Sequence, residues 1–364
     1  MLENFKKRVH EIREKYEHQL DIAFFIGGFV FDAFMVAEPD EVLSIVQQIV
    51  YIFIVAALIH YEMLFRLQKW HPKGRLAKVW EFRNLLLHFL LGTMLNIYSL
   101  FYIKSASVLN SILFLLLMAG MIVANELPFI KKSNVSFKVG LYAICVFSFF
   151  SILNPVLLGF VGWVPFGLAI TASLLVFFLQ YKRLKKQVPD DRTLFRAVLF
   201  PGISVLVVFV FFYFMKWIPP VPLSVHEQGV YHLIDKKDGE YLLSTEKPWW
   251  KFWQSGDQDF KAEPGDKIYF YAQIYSPAKF SDNVYVQFSW NSPKFGWQGQ
   301  DRIPLRISGG RKEGYRGYAI KSNYQPGDWR VQVVTESGLE ISRLYFTVAA
   351  AEKNPSRAFQ VIKK

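Results

Sequence analysis

The side chains of this chain that could do chemistry form two sets, one inside long apolar runs and one in a turn-rich second half. Asp32 is the acid placed well inside an apolar run, where an ionised carboxylate costs about 2.5 to 3.5 kcal/mol on insertion scales. It needs an interior partner, and Lys104, the lone base among the charge-poor connections, is the expected one. Such a pair is either a clasp between helices or a substrate or proton site. His88, Asn96 and Asn110 lie within apolar runs, where they can hydrogen-bond between helices. Asn125 and Glu126, like His60 and Glu62, fall near helix ends that cap or meet headgroups. None of them has the His-Glu-x-x-His spacing of a metal site, and neither a metal nor a cofactor is expected.

The second set is aromatic and basic. Tyr269, Tyr271 and Tyr275 alternate along one strand pattern, and Tyr285 holds the corresponding place on the next; rings in a row stack on sugars or receive a protein's side chains, or simply stabilise a sheet. Arg311, Lys312 and Arg316, with Tyr315 and Tyr318 in a glycine-rich stretch, suit a carboxylate or phosphate, or form a solvated turn. Trp249, Trp250, Phe252 and Trp253, with Lys247 and Lys251, make a cluster that would insert at a bilayer interface or plug a core beneath a loop. His226 and His232 lack the spacing of a ligand pair and read as surface residues. Ser276-Pro277-Ala278-Lys279 followed by Ser281-Asp282-Asn283 imitates two penicillin-interacting motifs, but both fall in one turn between strands, and in those enzymes the first opens a helix.

What positions these residues is set by the apolar runs. Seven follow one another, at about 22–37, 42–60, 84–103, 107–125, 139–158, 161–181 and 197–217, most of them long enough for a bilayer of roughly 30 Å at about 1.5 Å per residue. The N-terminal segment carries five Lys and Arg, the loop at 61–83 six, that at 126–138 three and that at 182–196 six, whereas the intervening connections carry only Lys104. Positive charge marks the cytoplasmic side, so seven spans put the N-terminus inside and everything after Pro222 outside, which in a two-membrane bacterium is the periplasm. The net charge of +12 divides as +8 before residue 219 and +4 after it, a topological signal rather than a nucleic-acid footprint. The single Cys145 forbids an intramolecular disulfide, and no cleavable signal peptide is visible, so residues 22–37 would serve as an uncleaved first span.

Five segments result: an amphipathic cytoplasmic helix at 1–20, a seven-span membrane domain at 21–218, a linker, hairpin and Trp-rich segment at 219–264, a β-domain at 265–349 and a tail at 350–364 without a core pattern. Val230 to Ile234 and Tyr241 to Ser244 flank Asp238-Gly239, a hairpin turn tolerant of positive φ. Ile268, Phe270, Ala272 and Ile274 alternate with polar or aromatic residues, as do Val284, Val286, Phe288 and Trp290. Further strands are predicted at 303–308, 315–320, 329–335 and 341–348, giving an all-β immunoglobulin-like antiparallel sandwich.

Phe288-Ser289-Trp290, then Gly314-Tyr315-Arg316-Gly317-Tyr318, Gln325-Pro326-Gly327-Asp328-Trp329-Arg330-Val331, Glu336-Ser337-Gly338 and Leu344-Tyr345-Phe346-Thr347-Val348 together resemble the bacterial domain of unknown function 2914 family, over about residues 265–349. The multi-span region, with Phe101 to Ser107 and Ala124-Asn125-Glu126, resembles the membrane half of some members. The resemblance transfers no activity. The residues themselves point to an inner-membrane envelope protein, not an enzyme, whose periplasmic sandwich binds a glycan, a lipid headgroup or another protein. The alternative is a membrane enzyme or transporter, in which Asp32, Lys104, Asn96, Asn110 and Glu126 converge on one polar cavity and the sandwich is a lid. Membrane lipids and an envelope protein or glycan are the expected partners, and nucleic acid is not.

Overall fold

The computed structural model describes residues 38–127, 134–188, 190–277, 280–308, 314–351 and 357–364. The expected surface helix at 1–20, the first apolar run at 22–37, Asp32, Arg311 and Lys312 lie outside the described residues. Among the described residues six helices are long and apolar enough to cross a membrane: α1 (Val42–Arg66), α3 (Arg83–Lys104), α4 (Val108–Glu126), α5 (Val135–Leu158), α6 (Trp163–Lys185) and α7 (Asp191–Phe214). The short α2 (Arg75–Trp80) sits between the first two.

Local chemistry explains their ends and bends. Asn134 accepts from the Val135 N–H and caps α5, and Gly159, at φ +81°, closes it by donating to the Pro155 carbonyl at 2.8 Å. Asp190 caps α7 in the same way. Pro201 interrupts α7, having no N–H to donate, and the turn just before it, Phe195–Leu199, widens to π-helical spacing. α3 and α5 are mostly buried and form the centre, while α1, α4, α6 and α7 turn large side chains such as Phe53, Leu116, Phe178 and Phe211 outward. An apolar exterior around an apolar centre is what lipid-facing helices require.

The two ends of this bundle differ in chemistry. At one end the buried Glu62 carboxylate accepts from Arg66 at 2.8 Å and Arg83 at 2.5 Å, with the fully buried Lys138 ammonium 3.8 Å away and donating to Asn84 at 2.7 Å. This is the end of the basic loops. At the other end every charge-poor connection meets the β-domain. Tyr275 donates to Asp40 at 3.1 Å, Ser107 donates to Glu340, and Val161 packs against the β-domain core. Asn110 donates to the Lys216 carbonyl at 2.7 Å, and Leu339 enters the helical core in return.

Among its described residues the β-domain has eleven strands: β1 (Ser224–Tyr231), β2 (Leu233–Lys237), β3 (Glu240–Thr245), β4 (Asp259–Ala262), β5 (Ile268–Tyr275), β6 (Ser281–Ser292), β7 (Gly296–Ser308), β8 (Tyr315–Lys321), β9 (Gly327–Thr335), β10 (Glu340–Ala350) and β11 (Gln360–Lys363). A sheet ordered β1-β5-β8 and a sheet ordered β4-β10-β9-β6-β7 share one core, in which Phe270, Ile274, Val286, Phe288, Val331 and Phe346 are buried. The inward alternation read along β5 and β6 is the one observed. Among the described residues the strand ladders are antiparallel except that β4 runs parallel to β10, so the sandwich is not purely antiparallel.

A third sheet, β11-β3-β2, lies on the tyrosine side of the first. Its hairpin turns at Asp238 and Gly239, both at positive φ, as their types predict. The first hairpin strand begins at Leu233 rather than Val230, because Val230 and Tyr231 finish β1 and pair with β5. The segment read as a tail also departs from expectation: Gln360 to Lys363 pair with β3, and Ile362 packs with Tyr231, Tyr241 and Tyr271.

Candidate membrane-junction cavity

A cavity of about 660 Å3 lies where the turn between α3 and α4 meets the β-domain. Lys104 ends α3, and Val108 and Leu109 open α4. His226 and Glu227 come from β1 and Arg343 from β10, and both strands slip register just there, between Val225 and Glu227 and between Glu340 and Ser342. A bulge re-aims side chains, and this pair turns two strand edges toward one space. Lys247 and Phe252 come from the long connection between β3 and β4. That connection is pinned to β1 by Gly256, whose φ is +73° and where a Cβ would stand 2.1 Å from the Val230 carbonyl oxygen. The Asp257 N–H donates to that oxygen at 2.7 Å, so only glycine permits the contact.

The charge is unbalanced. Lys364 pairs with Glu227 at 2.9 Å, and Arg343 binds Glu340 through two nitrogens, at 2.9 and 2.6 Å. Among the described residues the Lys247 ammonium donates only to a neutral carbonyl, that of Gln254, at 2.7 Å. Lys104 has no ion-pair partner among the described residues. Beside these two cations Val108, Leu109 and Phe252 are exposed, with Phe252 at 82%. Trp249 at 84% and Trp253 at 61% extend the apolar lip, and Trp250 is half-exposed. The cluster is therefore not a core plug. The cavity offers cations to an anion and an apolar rim to a chain attached to it.

Other predicted residues are dispersed. Asn125 is fully buried and clasps His88: its Oδ1 accepts from the ring Nδ1–H at 2.8 Å, and its amide nitrogen donates to the His88 backbone carbonyl at 2.9 Å and to Glu126 at 3.3 Å. Gly92 makes room for this clasp, since a Cβ there would stand 3.0 Å from the Asn125 amide. Asn96 is buried mid-way along α3, and Lys104 and Asn110 lie at the opposite end. Sixteen residues of helix separate His88 from Lys104, about 24 Å, so these groups do not converge on one cavity.

The tyrosine row is not one open face. Tyr271 is fully buried and Tyr275 nearly so, because the third sheet and the 38–41 turn cover them, and burial pushes the Tyr271 phenol up to about 12. Tyr269 and Tyr318 are half-buried against each other, the Arg316 carbonyl accepts from Tyr241 at 3.0 Å, and Tyr315 packs on the sandwich core. Tyr285 belongs to the other sheet, stacked under the Arg302 guanidinium at 4.0 Å.

One cluster escaped sequence reading. His232 is not a surface residue: its ring is buried, stacks on Phe260 at 4.0 Å and meets the Arg357 guanidinium at 2.9 Å. Arg357 also donates to Glu246 at 2.5 Å, to Asp266 at 2.7 Å and to the Lys261 carbonyl at 2.8 Å. Burial, then Arg357, pushes the imidazole down to about 4 against the pull of Glu246 and Asp266. Asp257, buried nearby and accepting from Thr245 and the Glu246 N–H, is pushed up to about 6 by burial. These partners are spread over 125 positions, with no shared motif.

Residues 281–348 match the sequence profile of a family described as a protein of unknown function, DUF2914, which confirms the resemblance for the C-terminal region alone. No curated protein matches the chain. The β-rich region has an immunoglobulin-like neighbour from Pseudomonas aeruginosa, 13% identical, covering 35% of this chain and 98% of that one at a TM-score of 0.22. A β-glucosidase involved in saponin metabolism from intestinal bacteria is 10% identical and covers 35% of this chain at a TM-score of 0.24. A β-glucosidase from Listeria innocua in complex with glucose is 12% identical over 30% at 0.21. The match spans only 16% of either glucosidase, and at such scores no inference about activity passes to this chain.

Proposed function

We propose that this chain is an integral membrane protein of the bacterial envelope that binds the anionic headgroup of a lipid in the junction cavity, without catalysing a reaction. The reading places the N-terminus in the cytoplasm and the β-domain on the periplasmic face of the inner membrane, with residues 22–37 as a seventh span. It is supported by the gathering of charge-poor connections at the β-domain end and of basic loops at the other.

One observation carries the ligand: Lys104 and Lys247, neither paired with a carboxylate among the described residues, border a cavity whose rim is Val108, Leu109 and Phe252. A phosphate between the two ammonium groups leaves its acyl chains at the level of the helix ends. Each lysine near an anionic surface contributes about 1 kcal/mol, so Lys104→Ala with Lys247→Ala together weaken binding about thirtyfold. Native mass spectrometry of the protein in nanodiscs of mixed phosphatidylglycerol and phosphatidylcholine reads this directly. The wild type retains phosphatidylglycerol and the double variant does not; equal retention by both overturns the proposal.

A further inference from the structure

We infer that the outer face of the five-stranded sheet carries a second, separate site, built for a saccharide ring. A trough of about 300 Å3 is bordered by Trp297, Tyr345, Gln254, Asp259 and Asp328. The two rings lie 5.7 Å apart, tilted by 58°, and both are held in place by cations. The Arg330 guanidinium sits 4.8 Å from the Trp297 ring centre, and Arg343 donates to the Tyr345 hydroxyl at 3.1 Å. Aromatic side chains already fixed in this way meet a ligand with little further loss of rotamer freedom.

The polar members are also half engaged. Asp328 accepts from Thr347 at 3.0 Å through one oxygen, and Asp259 accepts from Lys251 at 2.5 Å and Gln254 at 2.9 Å through one oxygen. The second oxygen of each carboxylate accepts nothing from the described residues. A pyranose has the matching chemistry: a C–H face for the rings and hydroxyl donors for the free carboxylate oxygens. For a phosphate or a nucleic-acid strand the neighbouring cations are already engaged, Lys251 by Asp259, Arg343 by Glu340 and Arg330 by the Trp297 ring, which leaves the two carboxylates to oppose it; an acyl chain leaves both carboxylates without a donor. The site does not depend on the headgroup reading, although Gln254 borders both cavities.

Saturation-transfer NMR on the full chain in nanodiscs tests it, with free glucose, galactose, N-acetylglucosamine and their disaccharides as probes. At least one of these sugars is expected to receive saturation at its ring C–H protons. Trp297→Ala weakens that binding about tenfold, whereas Trp297→Phe keeps most of it. Asp328→Asn, at an exposed position, gives an independent loss should the tryptophan variant fail to fold. Lys104→Ala, which touches no wall of the trough, leaves the sugar signal unchanged, so the two sites fail or stand separately. No transfer to any probe, or transfer that survives both Trp297→Ala and Asp328→Asn, overturns the saccharide site.

Discussion

His232 and Asp257 stand 3.7 Å apart with opposite shifts, and their linkage to stability runs in opposite directions. The imidazole, held near 4 in the fold against an ordinary 6.5, contributes stability that is complete above pH 6.5 and is lost as pH falls toward 4. The carboxyl, held near 6 against an ordinary 3.8, does the reverse: the fold takes up its proton first, so stability rises as pH falls from about 6 to 3.8. Each slope reaches at most about 1.4 kcal/mol per pH unit, so the two nearly cancel, with Arg357, Glu246, Glu263 and Asp266 around them. Asp257→Asn removes one limb and makes the protein lose stability on acidification from pH 6.5; His232→Gln removes the other and makes it gain. Thermal melts in detergent across pH 4 to 7 check both signs. A wild type as acid-sensitive as Asp257→Asn contradicts the pairing.

At the scale of elements, much of the β-domain was legible. Asp238-Gly239 demanded its turn, and the period-two runs of β5 and β6 fixed which side chains face the core. What was not legible depended on distant pairing. β11 is four residues long, too short to carry a period, yet it completes the sheet that buries Tyr271. β4 is equally short and takes its place only through β10. His232 is unreadable because its partners come from four separate segments. The Trp-rich connection was recognised by composition, whereas its anchor, Gly256, was not. Gly256→Ala forces a methyl into the Val230 carbonyl at positive φ, and a loss upwards of about 2 kcal/mol follows, measured by urea unfolding of the detergent-solubilised protein. Unchanged stability in that variant removes Gly256 as the anchor.

For the whole molecule, the prediction concerns sidedness. Charge counting alone separated the connections into two groups, and the structure gathers each group at its own end because Glu62 draws Arg66, Arg83 and Lys138 together while Asp40, Ser107 and Val161 reach the β-domain. Cys145 is the only cysteine and is buried, so single-cysteine scanning starts from a silent background. Glu41→Cys and Phe252→Cys react with a membrane-impermeant maleimide on intact spheroplasts, and Lys69→Cys and Lys186→Cys react only after lysis. The opposite pattern inverts the orientation and removes the headgroup site from the periplasm.

The β-domain is gripped at several points, by the turn at Asp40, the turn at Ser107, Val161 and the end of α7, as well as by the chain itself. A head fastened in this manner has no leash. On the proposed reading it keeps one height and one bearing over the lipid, so a bound ligand must travel within the plane of the bilayer or arrive at its surface.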